Sequence, residues 1–190
     1  LLFDGDNGYL DCGTNVVPTA GPFTISLWEF GEGALLSQYF DTGKLMFQDL
    51  EGIYYLQLGQ EQLTFSTPST TESWTHVALQ RDENDMIKLY VNGVLDDHSF
   101  LNITQIDIHE TWIGGMYSWA GDQSWFSGNL DEVSIWNRAL SEDEIQRVMY
   151  NQLIPLNEEG LISYYPFDEG EGLLAYDLSG DNDASFESYN

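Results

Sequence analysis

Three acidic loops and one aromatic loop hold most of the residues in this chain that could do chemistry. The acidic loops are Asp4-Gly5-Asp6-Asn7, the segment around Asp131 in GNLDEVSIW, and Asp177-Leu-Ser-Gly-Asp-Asn-Asp183. Carboxylates on a chain bent by glycine can wrap a hard cation such as calcium, which takes about six to eight oxygen ligands. A solvated turn accounts for each loop alone; the three together favour one shared calcium. The third loop alternates Asp177, Ser179, Asp181 and Asp183 in the manner of an EF-hand, but it lacks the bidentate glutamate and the flanking helices that such a site needs. The aromatic loop is YSWAGDQSWF, with Tyr117, Trp119 and Trp125. Exposed rings there could stack on the apolar faces of sugars while Asp122, Gln123 and Asn129 bind hydroxyls. The competing arrangement folds Trp119 or Trp125 back over the edge of the fold.

Catalysis needs a nucleophile with its base, or two carboxyls aimed at one bond. Asp131 and Glu132 are adjacent on an extended stretch, so alternation sends them to opposite faces. Asp107 and His109 share a face, and an isolated pair of this kind is more simply structural. His76, within a strand, reads as a hydrogen-bonded core histidine, and His98, beside Asp96 and Asp97, as part of a solvated face. The sequence has no nucleophile elbow, phosphate loop or zinc cluster. A non-catalytic protein is expected.

These residues must be positioned by strands. Leu1–Phe3, Tyr9–Cys12 and the segments 23–30, 33–40, 44–50, 53–59 and 62–66 are short, apolar and bounded by Gly, Asp or Pro, the mark of an antiparallel sandwich. The segments 73–82, 86–93 and VLDDHSF form a meander, with Asn92-Gly93 as a tight turn. Further strands are expected at 111–117 and 161–167. Residues 125–137 alternate, placing Leu130, Glu132, Ser134 and Trp136 on one side and Asp131, Val133, Ile135 and Asn137 on the other. The period then changes: Ser141 with Glu144 makes a capping box, and Ile145, Val148 and Met149 repeat at helical spacing up to about Asn151.

Composition bounds the rest. With 190 residues and 42% hydrophobic content, one folded domain over 1–190 is expected. A net charge of −27, from 32 acidic against 5 basic residues, would repel phosphate backbones, so nucleic acid and anionic membranes are excluded as partners. Such acidity suits salty or extracellular surroundings, where screening relieves self-repulsion. Cys12 has no second cysteine to pair with and reads as a small buried residue. No apolar run is long enough to span a membrane. With no basic and apolar leader at its start, the chain is expected to be a domain excised from a larger protein.

LFDGDNGYLDCG, FTISLWEF, SWTHVALQRD, IKLYVNGVL, TWIGG, FSGNLDEVSIWNRALSEDEI and LISYYPFDEGEG...DLSGDNDASF together resemble, in order and spacing, the laminin-G-like, concanavalin-A-like jelly rolls of secreted proteins. The resemblance implies an all-β fold of two antiparallel sheets packed face to face, with one short helix at the rim. It implies a lectin-like module that binds a glycan or an extracellular protein, sits beside other domains of its polypeptide, and holds a calcium ion, mainly structural. Carried over by motif, the calcium ligands would be Asp4, Asp6, Asp131, Asp177 and Asn182. The Glu-x-Asp-x-x-Glu strand of jelly-roll glucanases does not occur. In many relatives the Phe-Asp-Glu-Gly and Asp-x-Ser-Gly segment comes first, whereas here it comes last, and it is expected to close its own sandwich.

Overall fold

A computed structural model describes residues 1–38, 44–101, 106, 109–117, 123–151, 158–170 and 172–189, apart from the side chain of Tyr117. In chain order the strands are β1 (Leu2–Asp4), β2 (Gly8–Thr14), β3 (Phe23–Gln38), β4 (Leu45–Leu50), β5 (Ile53–Leu58), β6 (Glu61–Pro68), β7 (Thr75–Arg81) and β8 (Met86–Val91). They continue with β9 (Val94–Phe100), β10 (Glu110–Ile113), β11 (Gly115–Tyr117), β12 (Gln123–Trp125) and β13 (Ser127–Trp136). Helix α1 (Glu142–Met149) precedes β14 (Leu161–Tyr165), β15 (Leu174–Ala175) and β16 (Ala184–Ser188). Every pairing is antiparallel.

Apart from the β11–β12 pair, which stands by itself, the strands form two sheets that share β3. Its first half lies between β13 and β7, and the first sheet runs β14, β13, β3, β7, β8, β9, with β1 beside the start of β13. Its second half lies between β10 and β4, and the second sheet runs β15, β16, β2, β10, β3, β4, β5, β6. The sequence reading divides β3 into two strands at its glycines; the structure keeps it continuous over 16 residues. Gly31 (φ +145°) and Gly33 (φ +125°) let it turn from one sheet into the other while passing very close to the end of β12 and the start of β13. A Cβ on Gly31 would stand 2.1 Å from the Ser127 carbonyl oxygen, and one on Gly33 would stand 2.2 Å from that of Trp125. Only glycine fits such a crossing.

Between the sheets Ile25, Leu27, Val77, Leu79, Leu89 and Ile135 meet Leu10, Leu36, Phe47, Leu56 and Ile113. Cys12 joins this core, where burial pushes its thiol up to about 12. The outer face of the first sheet is covered by α1, whose Ile145 and Val148 pack on Trp136, Tyr90 and Ala78. The helix starts where its cap requires, with the Ser141 side chain accepting from the Glu144 amide and Glu144 returning to the Ser141 amide at 2.8 Å. The C-terminal segment closes this sandwich, with β14 on β13 and β16 on β2.

Simple alternation fails in β13. Asp131 pairs with Trp28 and Ser134 with Ser26, so two residues of β13 oppose one of β3, and Glu132 takes φ +53° in the bulge. Leu130 and Val133 consequently both face the core. Glu132 turns outward with Asp131, onto the side occupied by Trp28 and Tyr164, so the two carboxylates do not point to opposite faces as alternation predicts.

Candidate functional site

Helix α1 covers one outer face of the sandwich. The outer face of the second sheet remains to do chemistry, and strand register decides what it presents. Leu10 and Cys12 point inward, which sends Tyr9 and Asp11 outward. Trp112 pairs with Asp11 on one side and Ser37 on the other, and beyond them stand Met46, Gln48, Tyr55 and Gln57. The β11–β12 hairpin folds over the middle of this face, where Met116 packs on Ala34 and Met46 and the Gly115 carbonyl accepts from Ser37 Oγ at 2.8 Å.

Beside the hairpin four aromatic rings gather. Tyr9 stacks on Trp112 with centroids 4.0 Å apart, and Trp125 lies 6.2 Å from Tyr9. Tyr189 approaches Trp125 at 5.8 Å and Trp112 at 6.5 Å. All four are half-buried, leaving ring surface open. Gly115 permits this packing: a Cβ there would meet Tyr9 Cβ at 2.6 Å and the Trp125 ring at 2.9 Å. Trp125 Nε1 donates to Gln123 Oε1 at 3.3 Å. Trp112 Nε1 and Gln48 Oε1, both buried on this face, find no hydrogen-bond partner among the described residues. The carboxylates around Tyr9 are Asp11, Glu187 and Glu110; burial first, and then these charges, raise its phenol above the usual range.

The structure therefore brings Trp125 and Gln123 to this face. Trp119 and Asp122, with the Tyr117 side chain, lie outside the described residues, as does Asp107. Asn129 is elsewhere: it pairs with Phe30 and Leu2 on the outer side of the first sheet and lines a groove with Phe3 and Thr71. Sequence reasoning missed Tyr9, Trp112 and Tyr189, which lie far apart in the chain. Strand alternation alone could have placed Tyr9 and Trp112 outward, but not side by side.

The five candidate calcium ligands fall in three separate places: Asp4 with Asp6, Asp131, and Asp177 with Asn182. Asp4 pairs with Ser127, and Asp131 is four residues further along β13, about 13 Å at the rise of a strand. Asp4 Oδ1 accepts from the Asp6 amide at 3.0 Å, an ordinary Asx turn. Asp177 is saturated: Oδ1 accepts from the Tyr164 amide, the Ser179 amide and Ser179 Oγ at 2.8–2.9 Å, and Oδ2 from the Asn182 amide and Nδ2 at 3.4 Å. Asn182 Nδ2 also donates to Ser163 Oγ at 3.0 Å. These donors already do what a cation would, and among the described residues no three His, Cys, Asp or Glu side chains converge as metal ligands. The residues do not fit one shared calcium.

Asp131 is held above the usual carboxylate range mainly by burial, offset by the Leu1 ammonium and reinforced by Glu132 and Asp168. Both Glu132 oxygens are engaged, one by Asn151 Nδ2 at 2.9 Å and the other by the Tyr164 hydroxyl, so it ties β13 to β14 and to the end of α1. His76 is buried, its Nε2 2.8 Å from Ser26 Oγ, and burial lowers its imidazole to about 3. His98 lies on β9 of the first sheet, away from the aromatic cluster.

The sequence pattern of the Laminin_G_3 family, concanavalin A-like lectin/glucanases superfamily, matches residues 4–146. The chain belongs to this superfamily. Solved structures similar to this lectin/glucanase-type domain include a Bacteroides ovatus protein to which carbohydrate binding is attributed (21% identity, TM-score 0.78), matched over 98% of this chain and 58% of that one. A Ruminococcus gnavus sialidase module of the CBM40 type, bound to α2,3-sialyllactose, matches 78% of this chain and 95% of its own (18% identity, TM-score 0.64). The heptameric SAP-like pentraxin of Limulus polyphemus matches 98% and 93% (16% identity, TM-score 0.64). The chain thus spans somewhat over half the length of the Bacteroides ovatus protein. These likenesses are of fold. Among curated proteins no sequence matches.

Proposed function

We propose that this domain is a non-catalytic carbohydrate-binding module of an extracellular or cell-surface protein. The observation that carries the reading is the half-open cluster of Tyr9, Trp112, Trp125 and Tyr189 on the sheet face that α1 leaves uncovered. Sugar rings offer apolar C–H faces that stack on such rings, and Gln123 beside Trp125 and Asp11 beside Trp112 supply polar groups for hydroxyls. The carbohydrate-binding attributions of the Bacteroides ovatus and Ruminococcus gnavus structures support it. Asp131 and Glu132 belong to the other sheet, where Glu132 has both oxygens engaged by Asn151 and Tyr164.

Glycan-array binding followed by calorimetric titration tests the reading. Trp112→Ala should weaken the best ligand roughly tenfold, the loss of one stacking contact with a half-buried ring. An Asn129→Ala variant, on the opposite face, should bind as the parent does. A correctly folded protein that binds no glycan would end the carbohydrate reading and leave a protein-interaction module, to be sought by pull-down with adjacent domains.

A further inference from the structure

We infer that the glycan bound on the aromatic face is an amino-sugar oligomer, carrying protonated amines, rather than an acidic sugar; this rests on the carbohydrate reading of that face. Register fixes the charges around the rings. Asp11 pairs with Trp112 and with Ser185, and Glu187 pairs with Tyr9; Glu110 enters the same neighbourhood across from Thr14. Glu110 and Glu187 are exposed and Asp11 is half-exposed, so all three can reach a ligand stacked on Tyr9 or Trp112. Asp11 Oδ1 holds the Gly13 amide at 2.9 Å, which leaves its second oxygen free of any described hydrogen bond.

Four of the five Lys and Arg side chains lie elsewhere, and the fifth, Lys44, stands on this sheet but away from the rings. Arg81 is bound to Asp85 and Lys88 to Asp82, both on the first sheet and its turn, and Arg138 is bound to Glu144 beside α1. Arg147 is in the last turn of α1, and Lys44 stands before β4, two strands from Trp112. A carboxylate or sulfate sugar on Trp112 would therefore meet three carboxylates with no cation among its neighbours on β2, β10 and β16. An ammonium group finds the reverse: carboxylates for its charge and the faces of Tyr and Trp rings for the cation–π attraction. The sugar ring stacks, the amine points to the acidic rim, and the two contacts together set the class of ligand.

The experiment titrates the intact domain with fully deacetylated chitohexaose, with its N-acetylated counterpart and with 3′-sialyllactose, at a mildly acidic pH where the amines are charged. The deacetylated oligomer should bind roughly five- to tenfold more tightly than the acetylated one, with the advantage shrinking as salt is raised, and sialyllactose should not bind. The double variant Asp11→Asn, Glu187→Gln keeps shape and the Gly13 contact and should erase that advantage. Glu142→Gln, Asp143→Asn removes the same charge on the exposed side of α1 and should leave it intact. Equal binding of the two oligomers would overturn this inference while leaving the carbohydrate reading standing, as would equal weakening by both double variants, or sialyllactose binding lost in Trp112→Ala. Absence of all glycan binding would overturn both.

Discussion

Glu29 offers a test of how the sandwich core handles a carboxyl group. It sits on the inner side of β3, 1% exposed, opposite Leu130 and Thr75, and accepts from the Tyr54 hydroxyl of β5, while Oε2 has no described partner. Burial pushes its carboxyl up to about 8, the Tyr54 bond acting against this and the nearby Asp49 of β4 adding to it. Asp49, buried beside the β4–β5 turn, is itself raised to about 6 by burial, with Ser69 opposing and Glu32 reinforcing. In the unfolded chain Glu29 ionises near its ordinary value, so at neutral pH folding must take up a proton. At about 1.36 kcal/mol per pH unit, the cost is roughly 3 kcal/mol at pH 7 and approaches about 5 kcal/mol above pH 8. Stability contributed by the neutral carboxyl is complete below about pH 4.5, falls as pH rises, and is exhausted once pH passes about 8. Glu29→Gln keeps an oxygen for Tyr54, sets an amide toward the Asp49 carboxylate, and has nothing to titrate. Thermal melts of parent and variant should nearly coincide near pH 4.5 and separate as pH rises, with the variant roughly 6–12 °C higher near pH 7. A difference that does not change between about pH 5 and 9 would refute the buried neutral carboxyl.

Two further outcomes follow from the loops and the crossing. Asp177→Ala strips the acceptor from five donors and leaves the Tyr164 and Ser179 amides without it; it should cost about 3 kcal/mol in denaturant titration, and millimolar calcium should leave the parent melt unchanged, a rise of several degrees refuting the separation of the acidic loops. Gly31→Ala places a methyl against the Ser127 carbonyl oxygen and forces an unfavourable φ, so a loss of at least about 3 kcal/mol in the same titration is expected.

The sequence by itself determines the elements. Alternating apolar residues bounded by Gly, Asp and Pro mark the strands, Asn92-Gly93 fixes the β8–β9 turn, and Ser141 with Glu144 places the helix start, because each signal acts between residues a few positions apart. It also determines the likeness to concanavalin-A-like domains, which the family match bears out. Tertiary structure decides what those elements bring together. The bulge at Glu132 cannot be read locally, because it arises from fitting β13 to β3 on one side and β14 on the other; that fit turns Asp131 and Glu132 the same way. The continuity of β3 depends on the backbone from Trp125 to Gly128 passing within reach of Gly31 and Gly33. The aromatic face joins Tyr9, Trp112, Trp125 and Tyr189 from four strands or their ends, Tyr9, Trp112 and Tyr189 through pairings of strands about 100 residues or more apart in sequence and Trp125 through the local β11–β12 pair. The acidic loops, alike in composition, stay apart for the same reason: register, which is set by packing across the whole sandwich, assigns each carboxylate its neighbours.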